Sequence, residues 1–359
     1  MRIGVNALYL IPGKVGGSEI YLRNLLPALA EIDSRNDYVV FTNRETAADL
    51  PPFPVRVQPV RAEVRPARIL WEQTGLVAAL RRERIDVLLN GGFTAPLLPP
   101  CPMVTVFFDL QHKRHPEYFR WFDLPAWRFL LWAAAHRSRS LIAISEQTRR
   151  DLLDVYSLPP SKVHTVPLGV DPRFFDLGPT GGGGYVLCAS TLHPHKNLER
   201  LIRVFARVRA SHPSLKLVLT GVKGFHTEPI FQVIARENLN GAVEVKGWIP
   251  REELYGLFQK AEAFVYPSTF EGFGMPVTEA LAAGLPTACS NIEPLNSIAA
   301  GAALTFPPDD DDAILAALQR LLTDHELRTR LAQAGPARAR SFSWPQAARR
   351  VLAILEQAT

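Results

Sequence analysis

The sequence predicts an α/β protein of two facing, Rossmann-like doubly wound domains with a cleft between them. Three observations point there. Short apolar runs alternate with longer amphipathic segments along the chain, the pattern of parallel strands with helices on both faces of a sheet. The 359 residues exceed the usual size of one domain. Four consecutive glycines, Gly181 to Gly184, interrupt the alternation near the middle and form a flexible break.

In the first half, strands are expected at residues 2–7, 38–42, 54–60, 85–89, 103–108 and 141–144. A helix begins at Ser18, where Leu22, Leu25, Leu26 and Leu29 fall on one face; Pro27 inside it works against its regularity. Another begins after Ser145, an N-cap with Glu146 in the first turn. Beyond Gly178-Pro179-Thr180 and the glycine run, strands are expected at 185–190, 215–220, 242–246, 263–266 and 286–290. The reading divides the chain into an N-terminal domain (1–177), a glycine-rich linker (178–184), a C-terminal domain (185–340) and a terminal segment (341–359). The last carries an amphipathic helix expected to pack back on the N-terminal domain. Ligands of open parallel sheets bind outside the carboxyl ends of the strands, so functional residues are expected on loops just after strands.

Composition narrows the classes. Hydrophobic residues at 47% and charged residues at 21% describe a globular chain, not a disordered one. The apolar run at 129–135 is far too short to span a bilayer, and the N-terminus enters a strand pattern with no signal core. Cys101, Cys188 and Cys289 have neither disulfide nor metal-ligand spacing. Together these lead us to expect a cytoplasmic setting. The net charge of +5 fits an anionic small molecule or membrane surface; no nucleic-acid-binding motif accompanies it. Arginines cluster at 61–84 and at 114–139, the latter with Trp121, Phe122, Trp127, Phe129 and Trp132. One reading is a face resting on anionic lipid headgroups at the inner side of a membrane. The other, favoured by helical spacing, is a solvated basic surface with its aromatics packed inward.

The densest chemical signal follows the strand expected at 263–266 and runs from Pro267 to Pro286. Gly272 and Gly274 flank Phe273 and let the backbone approach a ligand. Pro276 suits the first turn of a helix, and Gly284 with Pro286 ends it. The free amides at that helix start suit a phosphate. Glu271 in the loop and Glu279 in the helix are matched to vicinal hydroxyls of a sugar and a ribose, since a carboxylate accepts several hydrogen bonds. The competing reading makes one a helix-capping acid and the other a solvated one. Asp309 to Asp312 precede an apolar helical run and are read as a cap rather than a metal site. His193 and His195 lack a third metal ligand nearby.

This segment resembles the donor-binding signature of retaining glycosyltransferase family 4, whose two glutamates stand in the relation of Glu271 and Glu279. Other stretches agree: Gly16-Gly17-Ser18-Glu19, Val166 to Asp171, His193 to Leu198, and Gly247-Trp248-Ile249-Pro250 with Glu253-Leu254. Asp109 to His112, with Pro116 to Phe119, resembles a stretch of the mannosyltransferase-like members. The resemblance implies the GT-B fold, with the N-terminal domain on the acceptor side and the C-terminal domain holding the donor. It implies that Glu279 binds the nucleotide ribose, Glu271 the donor sugar and Lys196 the diphosphate. Backbone amides near Gly274, Met275 and Val277 would assist, Gly17 would let its loop approach the diphosphate, and backbone around Trp248 would contact the base. His112 is the candidate beside the transferred sugar; as an alternative it is a loop histidine bonded to a backbone carbonyl. The implied reaction transfers a sugar, mannose favoured, from a GDP- or UDP-linked donor to a saccharide or lipid-linked saccharide. It proceeds with retention, without cofactor or essential metal.

The chain departs from the family pattern in places. Ser190 stands where a basic residue is common, His195 replaces an arginine, Phe108 a histidine and Ser297 a glutamate. These leave two rivals, a sugar-nucleotide epimerase and a catalytically silent nucleotide-sugar-binding subunit. A dehydrogenase is disfavoured, because no Gly-x-Gly-x-x-Gly follows the first strand.

Overall fold

The computed structural model describes residues 1–13, 16–47, 49, 50, 52–222 and 227–359. It divides into two compact units, Met1–Gly169 with Ser343–Thr359, and Val170–Phe342.

The first unit holds strands β1 (Arg2–Asn6), β2 (Asp37–Thr42), β3 (Val55–Val57), β4 (Val87–Asn90), β5 (Met103–Phe107), β6 (Ser140–Ala143) and β7 (Val163–Thr165). They form one sheet in the order β3-β2-β1-β4-β5-β6-β7, and every pairing is parallel. The strand order reverses between β1 and β4. Val5, Val40, Leu88, Leu89, Val104 and Val106 are all buried, as a sheet covered on both faces requires. The helix Gly17–Ile32 buries Leu22, Leu25, Leu26 and Leu29 on one face and keeps Pro27 within it. The helix Glu146–Tyr156 is capped by Ser145, whose side chain accepts from the Thr148 amide.

The C-terminal helix Trp344–Ala358 belongs to this unit and packs along Gly17–Ile32. Trp344 lies 6.0 Å from the Tyr21 ring, centroid to centroid. A Cβ on Gly169 would meet the Trp344 backbone nitrogen at 2.3 Å, so only glycine lets the chain pass that point.

The second unit holds β8 (Tyr185–Ala189), β9 (Lys216–Thr220), β10 (Val243–Gly247), β11 (Ala263–Tyr266), β12 (Thr287–Ser290) and β13 (Leu304–Phe306). They form a parallel sheet in the order β10-β9-β8-β11-β12-β13, reversing between β8 and β11. Asp310 caps the helix Asp311–Thr323 by accepting from the Ala313 amide.

Three expectations change. The division falls at Gly169–Val170, and the glycine run lies inside the second unit. There the Glu262 carboxylate accepts from the amides of Gly182 and Gly184 at 2.8 and 3.3 Å. Two short edge strands, β7 and β13, were not anticipated. And the aromatic stretch does not pack inward as a whole. The helix Leu124–Arg137 fills its core side with Leu131 and Ala133 to Ala135. Trp127 packs against the core, but Trp121 is 83% exposed, and Phe122, Phe129 and Trp132 are exposed too. Alanine is small enough to sit close to the sheet, which leaves the large rings on the other side.

Candidate functional site

The two-glutamate segment forms as its residues dictate. β11 ends at Tyr266, a loop follows, and the helix Met275–Ala282 starts after Gly274. Gly274 has φ +120°, and a Cβ there would strike Leu295 Cδ2 at 2.4 Å. Both facts require glycine. Phe273 is buried and meets Phe342 edge-on at 5.6 Å.

Lys196 sits at the end of a short 3-10 turn, Pro194–Lys196, after β8. Its ammonium donates to Glu271 Oε1 at 2.5 Å and to the Tyr266 hydroxyl at 3.0 Å. Both partners of this ion pair are almost wholly buried. Burial, with Glu271 beside it, holds the Tyr266 phenol well above its ordinary range, so it acts as a neutral hydrogen-bonding group.

Glu279 is buried on the helix and pairs with Arg251 Nη1 at 3.3 Å. Arg251 also reaches Asp171 Oδ2 at 3.0 Å through Nη2 and the Tyr255 hydroxyl at 3.1 Å through Nε. Tyr255 in turn donates to Asp171 at 2.5 Å. Burial pushes the Glu279 carboxyl up to about 7, against the pull of Arg251. At Asp171 the hydrogen bonds from Tyr255, the Arg173 amide and Arg251 overcome burial and lower the pKa.

The remaining donor-side residues fall as follows. Ser190 is buried just past β8, and its hydroxyl has no hydrogen-bond partner among the described residues. Trp248 is exposed just past β10. Met275 opens the helix, but the Val277 amide donates to the Gly274 carbonyl at 3.0 Å. The expectation that Val277 offers its amide to a phosphate is therefore corrected: helix closure already occupies it. Gly272 and Phe273 lie in the loop between Glu271 and the helix.

Gly17 and His112 belong to the first unit. Gly17 is the first residue of its helix, after Gly16 at φ +68°. His112, on the short helix Gln111–Arg114 after β5, is buried. Its Nε2 lies 2.9 Å from the Tyr156 hydroxyl, not on a backbone carbonyl. Burial, helped by Lys113 and Arg128, pushes its pKa down to about 4, so the imidazole is neutral near pH 7.

Sequence reasoning missed Tyr266, Arg251, Tyr255 and the side-chain role of Asp171. It also missed a polar cluster at the carboxyl ends of β1 and β4. Asn6 Nδ2 donates to Glu72 Oε1 at 2.8 Å and to Asn90 Oδ1 at 3.0 Å. Thr94 donates to the same Glu72 oxygen at 3.0 Å. Polar residues at the ends of apolar strands were the available signal.

The comparisons agree with this geometry. The family model for glycosyl transferases group 1 matches residues 171–338, and that for glycosyltransferase family 4 matches residues 15–174. O-antigen chain mannosyltransferase B of Escherichia coli is 28% identical over 67% of this chain and 66% of its own length. MMP α-(1→4)-mannosyltransferase of Mycolicibacterium hassiacum is 30% identical over 62% of this chain and 55% of its own. The matched part thus spans between about half and two-thirds of these relatives. The Anabaena protein HepE, solved with UDP and glucose, superposes with a TM-score of 0.78 at 19% identity, covering 99% of each chain. Fold and site together define a two-domain GT-B protein of the glycosyltransferase class. Within that class, residues 15–174 match the glycosyltransferase family 4 model, and the two relatives named above are mannosyltransferases.

Proposed function

We propose that the protein moves a hexose, mannose in the favoured case, from a GDP- or UDP-linked donor to a hydroxyl of a saccharide or lipid-linked saccharide. The observation that carries this reading is the buried Lys196–Glu271 pair beside the Gly274–Met275 helix start. A cation and a carboxylate held 2.5 Å apart are placed to separate onto one ligand. The donor diphosphate takes the Lys196 ammonium, and the freed Glu271 carboxylate accepts hydroxyls of the donor sugar. Glu279, aligned by Arg251, accepts from the ribose, and the Met275 amide supports a phosphate oxygen. Backbone around Trp248 meets the base. The mannosyltransferase names of the relatives and the UDP bound by HepE support the donor class.

The reaction follows the front face. The anomeric C–O bond to the diphosphate breaks as the acceptor oxygen bonds to the same face, and the acceptor proton passes to the departing phosphate oxygen. Lys196 stabilises the charge that grows there, where a preorganised cation contributes most. No metal or cofactor is required. His112 positions a hydroxyl of the transferred sugar.

A panel of GDP-mannose, UDP-glucose and their nucleotides tests this by thermal shift, since a bound ligand raises apparent stability. Transfer to a mannoside is then followed by NMR of the new anomeric proton. An inverted product, or activity lost in EDTA and restored by magnesium, sinks the corresponding part. Conversion of donor without acceptor reveals an epimerase.

The exposed Trp121, Phe122, Phe129 and Trp132, with the exposed Arg120 and Arg137 among them, form a face suited to anionic lipid headgroups. No helix among the described residues is long and apolar enough to cross a membrane. Flotation with phosphatidylglycerol vesicles, but not phosphatidylcholine vesicles, is the expected result. Loss of it in Trp121→Ala with Phe122→Ala assigns it to these rings.

A further inference from the structure

The first unit carries two buried charged groups, one helical turn apart, whose pairing is incomplete among the described residues. Glu72 and Arg68 lie on the helix Arg65–Gln73, and an i, i+4 relation puts them on one face. Glu72 is 1% exposed. Its Oε1 is taken by Asn6 and Thr94, while Oε2 has no hydrogen-bond partner among the described residues. Arg68 is 5% exposed. Its guanidinium makes no hydrogen bond or ion pair among the described residues; it feels Glu72 and the buried Tyr9 only at longer range.

A buried guanidinium with no partner is costly. So is a carboxylate oxygen with none. Folding alone gives no reason to keep both. Their place supplies one. Asn6 ends β1 and Asn90 ends β4, the strands between which the sheet order reverses. Ligands of parallel sheets bind at that point. Tyr9 closes the same corner, its hydroxyl lying 2.7 Å from the Gly91 carbonyl and 3.0 Å from that of Ser18, between which its one proton is shared.

We propose that Arg68 and Glu72 form a binding site for a saccharide that carries an anionic group, Arg68 taking the anion and Glu72 Oε2 a neighbouring hydroxyl. A guanidinium fork fits phosphate or carboxylate through two parallel hydrogen bonds. A single buried carboxylate oxygen needs a donor, which a ring hydroxyl supplies and the anion does not. The acceptor of the transfer is thereby an anionic saccharide. Only the word acceptor rests on the function proposed above, and binding is measured without transfer.

The test is calorimetry on the full chain with mannose 6-phosphate. Wild type is expected to bind it at least about tenfold more tightly than methyl α-mannoside or octyl phosphate, which each offer half of the chemistry. Arg68→Met and Glu72→Gln should each weaken it by about tenfold or more, and Lys196→Gln should not. Arg68→Met should also raise the melting temperature, because it removes an uncompensated buried charge. A merely structural arginine would give a lower melting temperature and unchanged binding, which would overturn the proposal. Loss of binding in Lys196→Gln alone would place the phosphate at the donor site and overturn it equally. Octyl phosphate binding as tightly as mannose 6-phosphate would remove the role of Glu72 and with it the saccharide assignment.

Discussion

The two units treat charge at their strand ends in opposite ways. In the second, Lys196 is paired with Glu271, and Arg251 with both Glu279 and Asp171. In the first, Arg68 and one oxygen of Glu72 have no hydrogen-bond or ion-pair partner among the described residues. A ligand entering the second unit exchanges one ion pair for another. A ligand entering the first unit satisfies groups that nothing else satisfies, so each contact counts nearly in full. The contrast suits a reaction in which one partner must be held tightly at the reacting bond and another must be recognised and released.

The largest effect that would break this comparison is at Lys196. Lys196→Ala should lower the rate of transfer by about 10²–10³-fold, the scale seen when a preorganised electrostatic group is removed from a growing charge. A fall of less than about tenfold would mean that the pair with Glu271 serves only the fold. His112→Ala should come next, lowering turnover by about 10²-fold with nucleotide affinity nearly unchanged. With its pKa pushed down to about 4 by burial, His112 is neutral at working pH. The pH–rate profile should therefore show no limb from this residue near 6.5, and a limb that disappears in His112→Ala would contradict its neutrality.

A smaller effect separates the two glutamates. Glu279→Ala should weaken binding of the free nucleoside diphosphate by about ten- to a hundredfold. Glu271→Ala should spare it and reduce transfer. The reverse pattern in calorimetry means the two roles are exchanged. The smallest effect concerns stability of the free protein. The folded Glu279 carboxyl keeps its proton up to about pH 7, whereas an unfolded one loses it near 4.5. In that window the native state binds more protons, so stability falls as pH rises and levels off above about 7. Glu279→Gln should flatten this slope in melting temperature; an unchanged slope would assign it to another group.

Most strands were legible because a doubly covered parallel strand reads as a continuous apolar run. β7 and β13 were not, for a reason particular to them. Each has three residues and lies at a sheet edge, too short for any pattern. The glycine run looked like the domain boundary because local composition carries no information about Glu262, some eighty positions away, which accepts from it. The same limit applied at the site. Lys196 entered only through the family resemblance, whereas the placement of Glu271 in a loop and Glu279 on the helix after β11 was readable because the strand, loop and helix signals around them are local. Arg251 and Asp171 were not, since their roles arise from pairing 80 positions apart. Val277 was misread at a finer level: its amide closes the first turn on Gly274, and a sequence does not reveal which early amide a helix keeps for itself.

The return of Trp344–Ala358 to the first unit has a consequence for how the chain is made. Domains usually fold in turn as they leave the ribosome. Here Tyr21 on the helix Gly17–Ile32 meets Trp344 of the C-terminal helix, and the two helices pack along each other. The first unit therefore waits, its surface incomplete, while the whole second unit is synthesised. During that interval its apolar face is a target for chaperones, until Trp344–Ala358 has been made and packs along Gly17–Ile32.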